Sequence, residues 1–441
     1  MKTANRPVAV ENLAPNALKP NPHNSRTHSK KQIRAIAASI GRFGFNNPVL
    51  IDAENVIIAG HGRVMAAKEL GLTAVPVIRI EHMNEDDKRA YIIADNQLAT
   101  RGGWDREILA TELQHLISID VGLPEVVGFD IGEVDVLLAE AGERVDPDDE
   151  SLPELQEQAV SRPGDLWLLG DHQRVLCGDA RESTAMARLM AGSLADCVFT
   201  DHPFNVKING HAGGKGAIQH REFAMASGEM SKEAFTAFLR TTAEVMVGVS
   251  RDGAIHFLCM DWRHIPELLE AVSPVYAGLL NLCVWRKSNA GMGSLYRSQH
   301  ELVFVWKNGT APHVNAVELG RHGRNRTNIW DYPSVNTFRG DRRAQLSWHP
   351  TVKPVAMVAD AIKDVTRRGD LVLDPFLGSG TTLIACERTG RCCRGMEIDS
   401  VYVDLALRRW SEATGTDPVL AETGQPFVKV ARERSASAGI A

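Results

Sequence analysis

Two segments of this chain hold residue types that can do chemistry. In DCVFTDHPFN (196–205) an apolar run ends in a carboxylate, Asp201, followed by His202, Pro203 and Phe204. In LVLDPFLGSGTT (371–382) a second apolar run ends in Asp374, followed by Phe376 and a loop carrying Gly378, Gly380 and Thr381. The second segment is preceded by HPTVKP (349–354), which supplies Thr351 and Lys353. A strand that runs into an acidic turn, a glycine loop and a helix start is how a doubly wound sheet presents a ligand.

The loop excludes the common phosphate binders. No Lys follows Gly380, so it is not a P-loop, and its glycine spacing is not G-x-G-x-x-G. It still aims backbone N–H groups and a helix start at a ligand. Asp374 suits a cationic ligand end. Glu397, in RGMEID (394–399), lies about twenty residues on, where a carboxylate grips ribose hydroxyls in nucleotide-binding sheets. Asp399 reads as the cap of a helix over 401–409. A cationic end beside a ribose points to S-adenosylmethionine and to group transfer.

DPFLGSGTT, GMEID with Tyr402, HPTVKP and TDHPF together resemble motifs I, II, X and IV of the amino-methylating (adenine-N6/cytosine-N4) DNA methyltransferases. The resemblance covers roughly residues 162–412. It implies an α/β, Rossmann-like fold with a mostly parallel sheet and helices on both faces. It also implies cofactor contacts from Thr351, Lys353, Asp374, Phe376, Gly378, Gly380 and Glu397, with Thr381 beside them. The catalytic segment precedes the cofactor segment, which is similar to the beta arrangement of that family.

The chemistry explains the catalytic residue types. An exocyclic base amine is a poor nucleophile because its lone pair is conjugated with the ring. Asp201 and the main-chain carbonyl of His202 can each accept a hydrogen bond from it, and Phe204 can stack the base. Positioning and electrostatics then carry the rate, and a duplex base must flip out to reach them. The expected reaction is methylation of adenine N6, since the family's cytosine-N4 enzymes more often carry Ser at the Asp201 position. Cytosine N4 stays open as the alternative. So does a DNA-binding or partition protein that has lost catalysis, because His202 stands where the family has proline. GMGSLYRSQHE (291–301) is similar to a family block near the catalytic pocket.

The elements around these segments read as follows. Strand and helix patterns alternate from Leu194 to Phe427, after a hairpin of LWLL (166–169) and RVLC (174–177). Two polar, glycine-rich interruptions, 207–231 and 312–348, are candidate target-recognition insertions. Arg321, Arg324, Arg326, Arg339, Arg342 and Arg343 crowd the second, and arginine suits base edges and phosphates. Double-stranded DNA is the expected partner, and a homodimer is left open.

Residues 1–144 form a separate domain on this reading. NPHNSR (21–26), a helix capped by Ser29, PVLI (48–51) and AGHGRVMAA (59–67) resemble the ParB/sulfiredoxin-like domain. The resemblance implies a phosphate-cradling turn at Gly60 and Arg63, so nucleotide or DNA is the expected ligand there. No cysteine lies in this region, which excludes sulfiredoxin chemistry. Residues 145–161 read as a solvated acidic linker and 428–441 as a disordered tail. Residues 162–427 are then the methyltransferase domain.

Bulk properties fit these expectations. A chain of 441 residues is long enough for two or three domains. Its net charge of −6 counts mildly against nucleic-acid binding, but phosphate contacts need only a local basic face. Seven scattered cysteines without a C-x-x-C pair argue against zinc and fit reduced thiols. With no apolar leader or spanning run in the sequence, the cytoplasm is the default location.

Overall fold

The structure is a computed structural model, and it describes residues 9–141, 147–156, 158–206, 226, 228–288, 290, 295–317, 326–333 and 352–438. The chain divides into two compact units, Met1–Ala141 and Gly142–Ala441. Among the described residues no helix is long and apolar enough to cross a membrane.

The first unit opens with a four-stranded sheet in the order β1-β4-β2-β3, formed by β1 (Val10–Leu13), β2 (Val49–Ile51), β3 (Ile57–Ala59) and β4 (Val75–Arg79). α1 (Lys30–Phe43) starts where Ser29 Oγ accepts from Gln32 N at 3.1 Å, as its sequence signals. α2 (His61–Glu69) starts at Gly60, whose φ of 103° favours glycine. Helices α3 (Glu85–Arg101), α4 (Arg106–Ile119), α5 (Leu123–Val126) and α6 (Ile131–Glu140) follow. α4 and α6 share a small core of Leu109, Leu113, Val134, Leu137 and Leu138.

The second unit is built on eleven strands. These are β5 (Leu166–Leu169), β6 (Gln173–Cys177), β7 (Ala195–Thr200), β8 (Ser250–Met260), β9 (Gly278–Arg286), β10 (His300–Lys307), β11 (Ile329–Asp331), β12 (Leu371–Asp374), β13 (Cys392–Glu397), β14 (Val419–Leu420) and β15 (Gln425–Pro426). Their order is β11-β9-β10-β8-β7-β12-β13-β6-β5-β14-β15. The central run β8-β7-β12-β13-β6 is parallel throughout, while β10 runs against both β8 and β9.

The two faces are covered separately. α7 (Ser183–Met190), α8 (Lys232–Gly248) and α9 (Ile265–Val272) bury Met186, Phe235, Phe238 and Leu268 against Val198, Leu371 and Leu373. Helices Val355–Val365, Thr381–Thr389 and Ser400–Thr414 bury Val358, Leu383 and Val403 against Cys197, Phe199 and Val372. Alternate residues of one strand thus serve opposite cores, which is why the central strands read as continuous apolar runs. β7 and β12 are neighbours, so Asp201 and Asp374 leave the sheet side by side at the same edge.

Two expectations are corrected. The segment 145–161 is not a solvated linker over its described residues. Both Asp149 oxygens accept from Arg388, the Asp149 carbonyl accepts from Arg409 Nη2 at 2.7 Å, and Glu150 Oε1 accepts from Val355 N at 2.7 Å. Leu152 is buried, and Val160 N and Ser161 N donate to Asp404. Its acids have cationic and helix-start partners, which keep the segment on the protein. Nor is the tail disordered, for a helix spans Phe427–Ala438. Phe427 and Val430, one turn apart, are buried, Phe427 meets Trp167 edge-on, and Arg434 pairs with Asp165.

Candidate active site

The glycine loop is built by its backbone. Gly378 and Gly380 hold φ of 52° and 84°. A Cβ on Gly380 would also lie 3.0 Å from Ala406 Cβ and 3.2 Å from its Cα, so the loop needs glycine there for two reasons. Asp374 Oδ1 accepts from Phe376 N at 3.1 Å and Oδ2 from Thr382 Oγ1 at 2.6 Å. Glu397 Oε2 accepts from Gly378 N at 2.9 Å, and its Oε1 from Asp399 N at 2.9 Å. Asp399 in turn caps the helix Ser400–Thr414 through Val401 N at 3.0 Å.

Burial pushes the Asp374 carboxyl up to about 7 and the Glu397 carboxyl up to about 6. Among the described residues no Lys or Arg forms an ion pair with either. Two buried carboxylates that lack cations fit a ligand that brings an ammonium group and hydroxyl donors. That is the fit S-adenosylmethionine requires of this edge.

The loop also has a brace that the sequence reading missed. Arg409, buried in the helix Ser400–Thr414, donates to the Ser379 carbonyl at 3.1 Å and to Thr381 Oγ1 at 3.3 Å. The Thr381 hydroxyl is thereby engaged on the protein side of the loop. An arginine at a helical position gives no local signal of such a role.

On the neighbouring strand end, Asp201 Oδ2 accepts from Lys353 Nζ at 2.5 Å. Lys353 is 5% exposed and also pairs with Glu301 at 3.0 Å, while Glu301 pairs with Lys287. Charges therefore alternate along Asp201, Lys353, Glu301 and Lys287. Lys353 Nζ lies 5.7 Å from the Phe204 ring centroid and 5.9 Å from that of Trp285, which favours a cation.

Burial raises the Asp201 pKa, and Lys353 opposes the rise. Burial also works against ionisation of Glu301, but Lys353 and Lys287 outweigh it and hold that carboxyl down to about 2. Burial disfavours the charge on Lys353, yet Asp201 and Glu301 raise its pKa above the ordinary lysine range. The second oxygen of Asp201, Oδ1, is buried without a hydrogen-bond partner among the described residues.

His202 is 2% exposed, and burial takes its pKa down to about 4, so the ring is neutral at neutral pH. Neither ring nitrogen has a hydrogen-bond partner among the described residues. The ring meets Phe204 and Phe376 edge-on, at 6.2 and 6.3 Å. Pro203 continues the turn, and Asn205, at φ 54°, ties it down through Met230 O at 2.9 Å and Gly228 N at 3.0 Å. Asparagine tolerates this left-handed conformation, a second feature the sequence reading passed over.

Other expectations fare differently. Lys353, expected on the cofactor, bonds Asp201 and Glu301, whose carboxylates are its neighbouring opposite charges. Arg326, expected on DNA, is 19% exposed in its side chain and bonds Asp364 at 3.0 Å and Tyr332 Oη at 2.7 Å, with Asp360 at 3.5 Å. Burial opposes its charge, and those acids outweigh the burial and raise its pKa. Arg326 thus forms a structural ion-pair cluster with Asp360 and Asp364. Arg321, Arg324, Arg339, Arg342, Arg343 and Thr351 lie outside the described residues.

In the first unit, Gly60 precedes the start of α2 and Arg63 folds back toward it, so that a Cβ at Gly60 would meet Arg63 Nη2 at 2.9 Å. Among the described residues Arg63 Nε has no hydrogen-bond partner, and burial lowers the Arg63 pKa against the opposing charge of Asp95. His61 Nε2 accepts from Asn21 N at 3.2 Å.

Comparisons with known proteins agree with this architecture. A DNA methylase family model matches residues 195–408, a ParB N-terminal domain model residues 2–97, and a ParB-methyltransferase HTH domain model residues 107–163. The chain carries an N6/N4 DNA methylase domain and a ParB-like N-terminal domain. The helix–turn–helix match takes in α4–α6 together with the stretch expected to be a linker.

The ParB-like nuclease domain-containing protein YnaK of Escherichia coli K12 is 50% identical over 72 residues, covering 16% of this chain and 83% of that protein. The type II methyltransferase M.ScaI of Streptomyces caespitosus is 37% identical over 87 residues, 20% of this chain and 29% of that enzyme. The solved PvuII DNA methyltransferase, described as cytosine-N4-specific, aligns with 59% of this chain and 90% of its own at 16% identity and a TM-score of 0.41.

Proposed function

We propose that this DNA methylase transfers the methyl group of S-adenosylmethionine to the exocyclic N6 of adenine in a flipped-out base, at specific sites in double-stranded DNA. The observation that carries the reading is Asp201. One of its oxygens is fixed by Lys353 and the other is buried without a partner among the described residues. A buried acceptor without a donor is costly, and an incoming amine N–H would satisfy it. The His202 carbonyl would supply the second acceptor and Phe204 a stacking face. Asp374 would hold the cofactor's ammonium end and Glu397 its ribose, with Phe376, Gly378 and Gly380 shaping the loop between them. The bound cofactor supplies an electrophilic methyl group. The protein's part is to orient the amine lone pair and exclude water.

In the first unit, Arg63 beside the α2 start supports a phosphate-bearing ligand at Gly60.

The test is DNA from cells expressing the chain, read by single-molecule sequencing, beside cells expressing Asp201→Ala. Modified adenine at one sequence motif, lost in the variant, is expected. Modified cytosine would replace adenine in the reading, and unmodified DNA would overturn it.

A further inference from the structure

Flipping a base leaves a gap in the duplex stack, and something must occupy it while the base is in the pocket. The geometry points to Tyr296, with Leu295 beside it, as the side chain that enters this gap; the inference rests on the function proposed above. Leu295 and Tyr296 are each 84% exposed, the most exposed large hydrophobic side chains among the described residues. They do no packing work in the fold, and burying them elsewhere is favourable.

Their place follows from the topology. β7 and β8 are parallel, β10 is antiparallel to β8, and β9 is antiparallel to β10. β9 therefore runs with β7, and the β9–β10 connection leaves the sheet at the edge where Asp201 sits. The connection is an extension of the strand pair at its base. Lys287 N donates to Gln299 O at 3.0 Å, and Gln299 Nε2 donates to Lys287 O at 2.9 Å. Arg297 Nη2 donates to Ala290 O at 2.7 Å, bridging the two arms. The arm is thus held at its root, with its aromatic side chain bare.

The same arm is rooted in the catalytic charge chain. Glu301, on Lys353, and Lys287, on Glu301, lie on its two sides. Glu301 lies five residue steps beyond Tyr296, at most about 17 Å of extended chain. That reach compares with the roughly 12 Å width of a major groove. A duplex whose target amine lies on Asp201 would therefore have Tyr296 within reach of its stack. An aromatic face stacks on any base, so the contact fits gap filling and not sequence reading.

The experiment uses the full chain and duplexes carrying its motif, with the target base either paired or opposite an abasic position. Tyr296→Ala should lower kcat/KM on the paired duplex roughly ten- to a hundred-fold, the size of a lost stacking contact. The loss should largely vanish on the duplex with the unpaired target, and cofactor affinity by calorimetry should not move. Tyr296→Trp should restore the paired-duplex rate. Equal losses on both duplexes, no loss on either, or a change of oligomeric state in Tyr296→Ala would overturn the assignment and mark a packing or protein contact. If the wild-type chain methylates no DNA, the function proposed above fails first.

Discussion

Replacing Lys353 by methionine and Glu301 by glutamine should shift the acid limb of the pH–rate profile in opposite directions. Lys353 lowers the Asp201 pKa against the effect of burial, and Glu301 raises it. Two unit charges about 4 Å apart at an effective dielectric of about 20 interact by about 4 kcal/mol. Water entering the vacated space screens part of this. Lys353→Met should therefore move the acid limb of kcat/KM to higher pH.

Glu301 reaches Asp201 only across Lys353, so Glu301→Gln should move the limb to lower pH, and by less. The sign follows from the chemistry, because Asp201 must be ionised to accept two lone-pair contacts and activity falls as pH drops through its pKa. The assay is transfer of labelled methyl to DNA from about pH 5 to 9. Lys353→Met also strands Glu301 with Lys287 alone, at a cost of about 3–5 kcal/mol, so a melting curve accompanies each profile. Shifts of the same sign, or no shift in folded protein, would refute the assignment of Asp201 as the acceptor.

Cofactor binding should release protons near pH 6.5, because Asp374 and Glu397 are held up to about 7 and 6 by burial and a cationic ligand would ionise them; calorimetry in two buffers of different ionisation enthalpy reads this directly, and proton uptake would contradict it. The same raised values make those carboxyls stabilise the ligand-free fold below about pH 4, a contribution lost as pH rises through their folded pKa values, so the ligand-free Tm should fall across that window. Gly380→Ala should cost roughly 1–3 kcal/mol, from its φ of 84° and the 3.0 Å approach to Ala406, and weaken cofactor binding more than DNA binding. Arg326→Ala should lower stability by about 3–5 kcal/mol while leaving the salt slope of DNA binding unchanged, as measured by chemical melts and titrations at several salt concentrations.

The elements that place the acids were legible because their signals are local. An apolar run, an acid and a glycine loop sit within a dozen residues, and the strand ends fall where those runs stop. What was not legible depends on register and on distant partners. Lys353 meets Glu301 only because β10 lies in one register between β8 and β9, which no window of sequence contains. Arg326 looked like one of a cluster of loop arginines, yet Asp360 and Asp364, one turn apart on the helix Val355–Val365, claim it. Asp149 looked solvated because its partners, Arg388 and Arg409, come far later in the chain.

The helix–turn–helix segment adds an electrostatic constraint on how this chain meets DNA. Over the matched residues 107–163 it carries fifteen carboxylates, and Arg144 and Arg162 are its only Lys or Arg. The amides at the start of α4, where a phosphate would otherwise bind, are already taken, since Asp105 Oδ1 accepts from Glu107 N and Ile108 N at 3.2 Å. Counterion release from DNA requires lysines and arginines at the phosphates, and this segment has almost none to offer. Electrostatic attraction to DNA must therefore come from elsewhere in the chain. With Arg326 committed to Asp364, the sequence's supply in its insertion is Arg321, Arg324, Arg339, Arg342 and Arg343.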